Sequence, residues 1–182
     1  AVCTMEIDEN PELDSDVVRF VQTSPTMPDA TCEVDANTGA VRVLKRKTVH
    51  GFEPARYLAE LVWVQARDGE AIPVTITRRR DVPLDGTAPL LQTGYGAYGI
   101  CEDPVFGAAL LSLLDRGFVH AIAHVRGGEE LGRRWFDAGR LSNKMASFND
   151  FVDVTADFLR RGLVDPQRIF ASGGSAGGLL VA

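Results

Sequence analysis

Cysteine, histidine and long apolar runs are scarce in this sequence, which has 182 residues, three cysteines and three histidines. Cys3, Cys32 and Cys101 form no CxxC pair and have no metal-ligand spacing. The sequence therefore favours a reduced, cytoplasmic location over a secreted domain held by disulfides. No stretch approaches the roughly 18 uninterrupted apolar residues of a membrane span, and the first residues lack a signal-peptide pattern. We predict no membrane interaction.

An excess of positive charge is also absent, since the formal net charge is −6. The one basic run, at 78–80, is followed at once by Asp81, so no extended basic surface for nucleic acid is expected. His120 and His124 lie on one face of a predicted strand, but no third ligand stands nearby at a suitable spacing. The sequence therefore predicts no metal, no cofactor and no nucleic-acid partner.

The first 52 residues have the pattern of short strands with turns between them. Candidate strands span 17–23, 31–34 and 40–44, and the last two flank a turn at 35–39 whose Asx and glycine residues suit a hairpin loop. No helical period occurs in this part of the chain. We expect residues 1–52 to form one unit, with a boundary near residue 52.

Strands alternate with helices in residues 53–182. A hairpin around Asp68-Gly69 is predicted first, and two helices are predicted at 105–114 and after Ser147, which is expected to cap the second one. The apolar stripe of that second helix is predicted to comprise Phe148, Phe151, Val152, Thr155 and Leu159. The predicted strands span 57–64, 72–77, 89–93, 118–125 and 168–171. This alternation predicts an α/β fold with a doubly wound, mostly parallel sheet whose antiparallel edge is the hairpin.

The sequence around Ser175 has the pattern of a nucleophile elbow. Gly173-Gly174-Ser175-Ala176-Gly177 matches G-x-S-x-G, directly after a predicted strand and directly before an apolar run that can begin a helix. Small neighbours allow the unusual backbone conformation that a serine on such a sharp turn requires. The alternative is a glycine-serine linker or an ordinary strand-to-helix turn. The strand before the motif and the helix after it favour a nucleophilic Ser175.

A second glycine pattern allows a different interpretation. Residues 94–99 fit G-x-G-x-x-G after a strand, which is the dinucleotide-binding fingerprint. That site requires an acidic residue about 20 positions further on, and Asp115 has this offset but lies at a predicted helix end. Pro104 also separates Gly99 from the helix on which the last glycine of the fingerprint would pack. The pattern thus favours another role for this loop.

Four motifs in order, taken together, resemble the prolyl oligopeptidase family of serine peptidases, in particular its oligopeptidase B branch. They lie at 94–99, 124–129, 143–151 and 173–178. The resemblance extends from about residue 15 to the end of the chain. It implies that residues 1–52 are the C-terminal part of a β-propeller lid domain. Residues 53–182 would then be the N-terminal half of an α/β-hydrolase catalytic domain.

The resemblance also implies roles for particular residues. Ser175 corresponds to the catalytic nucleophile, and the Tyr95 hydroxyl and the Ala176 N–H correspond to the oxyanion hole. Tyr98 corresponds to an aromatic residue of the substrate cleft. Asp103 corresponds to an acidic residue that faces basic substrate side chains. The usual partner acid of Asp103 is replaced by Val105, and Glu102 beside it is either a substitute or simply an exposed residue.

Both ends of the chain are expected to be truncated, because the sequence does not begin with Met and ends in an apolar run. In the α/β-hydrolase order, the acid and the histidine of the triad follow the serine, so both are expected after Ala182 and His124 is not the base. The resemblance to the oligopeptidase B branch further implies that the substrates are oligopeptides cleaved after Arg or Lys. The alternatives are an esterase of the same fold and a non-catalytic fragment.

Four charged residues stand beside the predicted active-site loops. They are Arg126, Glu129, Glu130 and Asp150. Charged groups at such positions either contact the substrate directly or form ion pairs that hold the loops. We expect a structural ion-pair network.

Overall fold

The computed structural model describes residues 2–182, which form two β-sheets and four α-helices. The first sheet is antiparallel throughout, in the order β1-β2-β3-β4. Its strands are β1 (Thr4–Ile7), β2 (Val17–Ser24), β3 (Met27–Asp35) and β4 (Val41–Arg46). The three strands predicted in this part of the chain are confirmed, with β3 beginning four residues earlier than expected. Strand β1 was not predicted, because four residues are too short for a clear alternation.

The turn between β3 and β4 follows from local chemistry. The Asp35 carboxylate accepts hydrogen bonds from the N–H groups of Asn37 and Thr38, at 3.0 and 2.7 Å. Gly39 has a φ of 71°, a left-handed conformation that glycine adopts without steric cost. These residues close the hairpin predicted at 35–39 and so fix the register of the last two strands.

The second sheet has the strand order β5-β6-β8-β7-β9. The β5–β6 and β6–β8 pairings are antiparallel, and the β8–β7 and β7–β9 pairings are parallel. The strands are β5 (Tyr57–Gln65), β6 (Ala71–Arg79), β7 (Leu90–Thr93), β8 (Val119–Ala123) and β9 (Ile169–Ser172). The α/β class and the antiparallel hairpin at the sheet edge are confirmed, but the sheet is mixed within the described residues, with two antiparallel and two parallel pairings, rather than mostly parallel. The predicted boundary near residue 52 lies between β4 and β5, and it stays a prediction.

The four helices are α1 (Ala108–Leu114), α2 (Arg133–Asp137), α3 (Met145–Arg160) and α4 (Ala176–Val181). The position of α3 is confirmed, but two details of its prediction are wrong. Val152 and Leu159 are 55% and 37% exposed, and the side chains that α3 buries include Phe151, Val154 and Phe158. No helix within residues 2–182 has both the length and the apolar character that a bilayer span requires.

Ser147 is the second correction to α3. It lies inside the first turn rather than at the N-cap, which is Lys144. Ser147 and Asp150 are completely buried. Polar residues therefore occupy part of the inward face of this helix. The buried face of α3 is for this reason rotated away from the apolar stripe that the sequence predicts.

The main core lies in the second sheet and under α3. Ile72, Val74, Leu90 and Val119 are fully buried there, and each contributes about 1.5–3 kcal/mol through removal of its side chain from water. Trp135 of α2 is also fully buried, and its indole N–H donates to the carbonyl oxygen of His124 at 3.0 Å. This bond ties α2 to the segment that follows β8.

A small aromatic cluster joins the segment after β4 to β5 and to the loop that precedes α1. Phe52 stacks on Tyr57 with ring centroids 5.3 Å apart, and it meets Phe106 edge to face at 5.0 Å. The Phe106 N–H donates to the Thr23 hydroxyl at 3.2 Å. The end of β2 therefore lies against the loop that precedes α1.

Candidate active site

The loop 94–99 and the turn 173–175 leave the second sheet side by side. Strands β7 and β9 are parallel neighbours, and Thr93 pairs with Ser172 in their register. The two strands therefore end at the same edge of the sheet, and each is followed directly by its glycine segment. Ligands bind outside the carboxyl ends of the strands in open α/β sheets. The fold thus brings together the two glycine segments that the sequence singled out.

Ser175 occupies a sharp turn between β9 and α4. Its φ of 53° and ψ of −119° lie outside the regions that ordinary residues favour, and its side chain is exposed. Such conformations cost about 1–3 kcal/mol and occur at sites where the surrounding structure enforces them. A Cβ on Gly173 would overlap the Gly177 carbonyl group. Glycine is therefore required at the first position of the motif for the turn to close.

Helix α4 begins immediately after the serine. The Ala176 N–H is the first of the helix, so it has no acceptor within the helix. It also stands next to the predicted nucleophile in sequence. A free N–H in this position can donate to negative charge that develops on an oxygen beside Ser175.

Tyr95 lies against the elbow. Its Cδ2 atom is 3.5 Å, and its Cα atom 3.6 Å, from the position that a Cβ on Gly177 would occupy. The residue is half-buried. The structure therefore brings Tyr95, Ser175 and Ala176 to one place, as the resemblance implied, although their catalytic roles stay a prediction.

A cavity of about 400 Å³ adjoins the elbow and is lined by Tyr98, Leu141, Ala176 and Leu179, among others. Tyr98 is 77% exposed at a φ of 58°, and Leu141 is 83% exposed at a φ of 51°. Together with Ser175, they are the three non-glycine residues with positive φ in the described chain. Strained backbone thus concentrates around this cavity. Leu141 was missed, because a leucine carries no sequence signal for a left-handed conformation.

Asp103 does not line this cavity. It lines a second cavity of about 700 Å³, with Glu102, His124 and Glu130, and none of Tyr95, Tyr98, Ser175 and Ala176 is part of that lining. Asp103 therefore lines a different cavity from Tyr98 and Ala176. Glu102 is half-buried rather than exposed.

A buried ion pair lies beneath the loops. The Arg126 Nη2 and Nε atoms donate to the two Asp150 oxygens at 2.5 and 2.9 Å, and the Arg126 N–H also donates to Asp150 at 3.0 Å. Asp68 accepts a further bond from Arg126 Nη1 at 2.6 Å. The hydrogen bonds to Asp150 raise the pKa of the Arg126 guanidinium above its usual range. The predicted structural network is confirmed for Arg126 and Asp150.

Glu129 and Glu130 stand outside the Arg126–Asp150 pair. Glu129 packs beside Gly99, where a Cβ would lie 3.1 Å from the glutamate Cδ atom. Glu130 accepts a hydrogen bond from the Glu102 N–H at 3.1 Å. The prediction of one shared ion-pair network is therefore wrong for these two residues.

Ser147 joins the glycine loops to one another. Its hydroxyl lies within hydrogen-bond distance of the carbonyl oxygens of Arg126 and Gly139, the latter at 3.1 Å. The Lys144 ammonium donates to the Gly96 carbonyl and to the Ser147 hydroxyl. Burial lowers the pKa of Lys144. These two residues at the start of α3 therefore hold three separate loops. A polar residue on an otherwise apolar helix face was the one sequence signal for this role.

His120 and His124 have separate partners. His120 Nε2 lies 3.0 Å from the Thr93 hydroxyl, and His124 Nε2 lies 2.8 Å from the Thr75 hydroxyl. Burial lowers the pKa of His120 to about 4. Both imidazoles are buried, so neither stands free beside Ser175 as a base.

The loop 94–99 does not have the geometry of a dinucleotide site. Helix α1 begins at Ala108, well after Gly99. A Cβ on Gly96 would lie 2.5 Å from a Val125 methyl carbon. Glycine at position 96 thus allows this loop to pack closely against the segment after β8. The loop does not bring a phosphate to the start of a helix, as a dinucleotide site would.

Comparison with known proteins agrees with this geometry. The model of the prolyl oligopeptidase family matches residues 104–182. The chain is 48% identical over 179 residues to dipeptidyl aminopeptidase BI of Pseudoxanthomonas mexicana, covering 98% of the chain and 25% of that protein. It is 34% identical over 179 residues to protease 2 of Moraxella lacunata, covering 98% of the chain and 26% of that protein.

A solved structure has the same fold over nearly the whole chain. Oligopeptidase B from Trypanosoma brucei, in a closed form with covalently bound antipain, superposes with a TM-score of 0.93 at 35% identity. The match covers 99% of this chain and 26% of that one. The chain thus spans about a quarter of the length of the relatives it matches.

Proposed function

Because the chain belongs to the prolyl oligopeptidase family, we propose that it carries the nucleophile of a serine-type oligopeptidase. The observation that supports this most directly is the strained, exposed Ser175 between β9 and α4, with Tyr95 packed against the same turn. This is the arrangement of a nucleophile elbow at the carboxyl edge of an α/β sheet. As a further part of the proposal, residues 1–52 belong to a β-propeller lid, which their four-stranded antiparallel sheet supports.

The proposed reaction begins with attack of Ser175 Oγ on the scissile carbonyl carbon. The serine proton passes to a histidine base supplied by the rest of the full-length protein, and the carbonyl oxygen takes the negative charge. The Tyr95 hydroxyl and the Ala176 N–H donate to that oxyanion. When the C–N bond breaks, the base returns the proton to the leaving amine, and an acyl-enzyme on Ser175 remains until water hydrolyses it.

The buried groups near the elbow have a supporting role in this proposal. A donor contributes most when its position is fixed before the reaction, since no energy is then spent on reorganisation. Gly96 is held by Lys144, and the segment after β8 is held by the Arg126–Asp150 pair. These contacts keep the 94–99 loop, and therefore Tyr95, in place beside the serine.

The proposed substrates are oligopeptides cleaved after Arg or Lys. The acidic cavity that contains Asp103 supports a preference for basic substrates, and a propeller lid would restrict entry to short peptides. We also propose a cytoplasmic location, since the three cysteines are free within the described structure.

The test is hydrolysis of an Arg-amide substrate by the full-length protein. We expect turnover that Ser175→Ala abolishes, together with a clear preference for Arg-amide over the neutral isostere citrulline-amide. Ser172→Ala is the control, because this exposed serine lies three residues away at the end of β9. Full activity of Ser175→Ala would contradict the proposed nucleophile, and equal hydrolysis of the two amides would contradict the preference for basic residues.

A further inference from the structure

Three backbone carbonyl groups meet at the start of helix α3. They belong to Gly96, Arg126 and Gly139, which lie in three different loops. The Ser147 hydroxyl is within hydrogen-bond distance of all three oxygens, at 3.4 Å from that of Gly96 and 3.1 Å from that of Gly139. Within residues 2–182, no backbone N–H donates to any of these oxygens. Because a serine hydroxyl has one proton to donate, Ser147 alone can satisfy one of the three at a time.

The three loops approach each other as closely as glycine allows. A Cβ atom on Gly127 would overlap the Gly96 carbonyl group, and a Cβ atom on Gly139 would overlap the Arg126 carbonyl group. Gly127, Gly139 and Ser147 are all buried. The negative ends of three carbonyl dipoles therefore converge in a place that water does not screen, and they repel one another unless a positive charge lies among them.

Lys144 supplies this positive charge. Its ammonium donates to the Gly96 carbonyl and to the Ser147 hydroxyl, the latter at 3.2 Å, and it lies 5.6 Å from the centroid of the Phe148 ring. None of these contacts is with a carboxylate, so the charge is compensated by oxygen dipoles and an aromatic face. Because the ammonium satisfies Gly96, the Ser147 proton is free for the other two carbonyl groups.

Helix stability does not account for a lysine at this position. Lys144 is the N-cap residue of α3, and its side chain makes no capping hydrogen bond. Serine, threonine, aspartate and asparagine are the side chains that stabilise an N-cap. Positive charge at a helix N-terminus is unfavourable, because the helix dipole is itself positive at that end. The contacts with the loops are therefore the physical reason for a lysine here.

The loop that contains Gly96 also carries the proposed oxyanion donor. Tyr95 directly precedes Gly96, and the Gly99 N–H of the same loop donates to the Gly127 carbonyl at 2.9 Å. Loss of the ammonium would leave the Gly96 carbonyl beside two others without a donor of its own. We expect the loop to move away in response, and Tyr95 to move with it.

We propose that Lys144 is a positioning residue of this site, whose positive charge holds the three carbonyl groups together and thereby keeps Tyr95 beside Ser175. The role requires the charge and not only a hydrogen-bond donor. A charged donor forms a hydrogen bond about twice as strong as a neutral one, and a charge also offsets the repulsion among the three dipoles. The effect on turnover rests on the proposed peptidase function, whereas the effect on the loop does not.

The test compares Lys144→Gln, Lys144→Met and Lys144→Arg in the full-length protein. Glutamine keeps a neutral N–H donor, methionine has no donor, and arginine keeps both the donor and the charge. Lys45→Gln is the matched control, because Lys45 is an exposed residue of β4 in the first sheet. Two quantities are measured under conditions in which circular dichroism shows each variant to be folded. They are the hydrogen exchange of the segment 94–99, by mass spectrometry, and the steady-state kinetics on an Arg-amide substrate.

We expect exchange of the Gly99 N–H to become about 10-fold faster or more in the glutamine and methionine variants, because its bond to Gly127 depends on the contact between the loops. In the same two variants kcat should fall by about 10- to 100-fold with little change in KM, since the displaced donor acts mainly on the transition state. Arginine should recover most of the lost kcat and slow the exchange again. The Lys45→Gln control should leave both quantities within about twofold of wild type.

The proposal is overturned if Lys144→Gln behaves as wild type in exchange and turnover, since a neutral donor would then be sufficient. Faster exchange without loss of kcat also overturns it, as does a folded Lys144→Arg that is as impaired as Lys144→Gln. Should Lys144→Arg fail to fold, the two neutral variants decide: equal impairment supports the need for charge, and a more active glutamine variant contradicts it.

Labelling of wild-type Ser175 by an organophosphonate separates this proposal from the proposed function. Labelling of Ser175 together with exchange that does not depend on the charge at position 144 contradicts only the role of Lys144. Exchange that depends on this charge, in a protein that is not labelled, contradicts only the nucleophile.

Discussion

A Cβ atom on Gly177 would lie 2.7 Å from the carbonyl oxygen of Gly94. This distance is too short for a real contact, so the nucleophile turn and the Tyr95 loop approach each other as closely as glycine allows. Alanine at position 177 would force the two apart. Because Tyr95 follows Gly94 directly, the same displacement would move the proposed oxyanion donor away from Ser175.

We therefore predict that Gly177→Ala in the full-length protein lowers kcat/KM by about 10²-fold, since displacement of a catalytic group by about 1 Å has an effect of this size. Gly178→Ala is the matched control. It lies in the same helix α4, and its Cβ would lie at an ordinary 3.5 Å from the Gly173 carbonyl oxygen. Both substitutions gain up to about 1 kcal/mol of helix propensity. Equal activities of the two variants would contradict the close-approach account.

The second prediction concerns the Tyr95 hydroxyl. Tyr95→Phe should lower kcat by about 10²- to 10³-fold, or about 2.7–4 kcal/mol, with little change in KM, because the donor acts mainly on the transition state. Steady-state kinetics on an Arg-amide substrate provides both parameters. Tyr57→Phe is the control. It loses a hydrogen bond to Asp115 at 2.8 Å, far from the elbow in the fold, so its kcat should stay at the wild-type value. An unchanged kcat in Tyr95→Phe would make this residue a packing aromatic.

The buried ion pair leads to a prediction about stability. Asp150→Asn leaves the Arg126 charge buried without its main partner, so the free energy of unfolding should fall by about 3–5 kcal/mol. Urea denaturation of the full-length protein measures this loss. Asp153→Asn on the same helix is the control, because its partner Arg67 is 54% exposed and solvent screens that pair. A loss in Asp150→Asn no larger than the control's would show that the Arg126–Asp150 pair does not hold the loops.

The low pKa of His120 predicts a pH dependence. In the unfolded chain a histidine binds its proton near pH 6.5, whereas burial lowers the folded pKa to about 4. The unfolded state therefore binds more protons between these values, and stability falls as the pH decreases from about 6.5 toward 4. Between pH 7 and pH 5 the loss from this residue is about 2 kcal/mol.

Replacement of His120 isolates this contribution. His120→Gln should reduce the loss of unfolding free energy between pH 7 and pH 5 relative to wild type, as measured by urea denaturation at both pH values. His50→Gln should leave the loss unchanged, because His50 is exposed. An identical pH dependence in His120→Gln and wild type would show that His120 titrates normally in the folded state.

Local patterns predicted much of this fold. The hairpin at 35–39 follows from an Asx residue and a glycine in sequence, and the elbow follows from five residues between a strand and a helix. Both depend on neighbours along the chain, which a sequence displays directly. Helix α2 was missed, since five residues are fewer than two turns and show no periodicity.

Contacts between distant segments were harder to predict. Serine is a common N-cap residue, but the Ser147 hydroxyl instead donates to carbonyl groups of loops that lie 8 and 21 residues away in sequence. Asp68 was not expected to join Arg126, because the hairpin turn and the end of β8 meet only in the folded sheet. The resemblance assigned Asp103 to basic substrate side chains, and this role stays a prediction, while the structure places the residue in the lining of an acidic cavity.

Covalent labelling distinguishes Ser175 from every other serine as the nucleophile. The full-length protein is treated with an organophosphonate ester, digested and sequenced by mass spectrometry. We predict one label per chain, on Ser175, and a strongly reduced rate of labelling in Tyr95→Phe, because the phosphonate oxygen needs the same donor as the oxyanion. A label on any other serine, or no label on a protein that hydrolyses Arg-amide substrates, would contradict it.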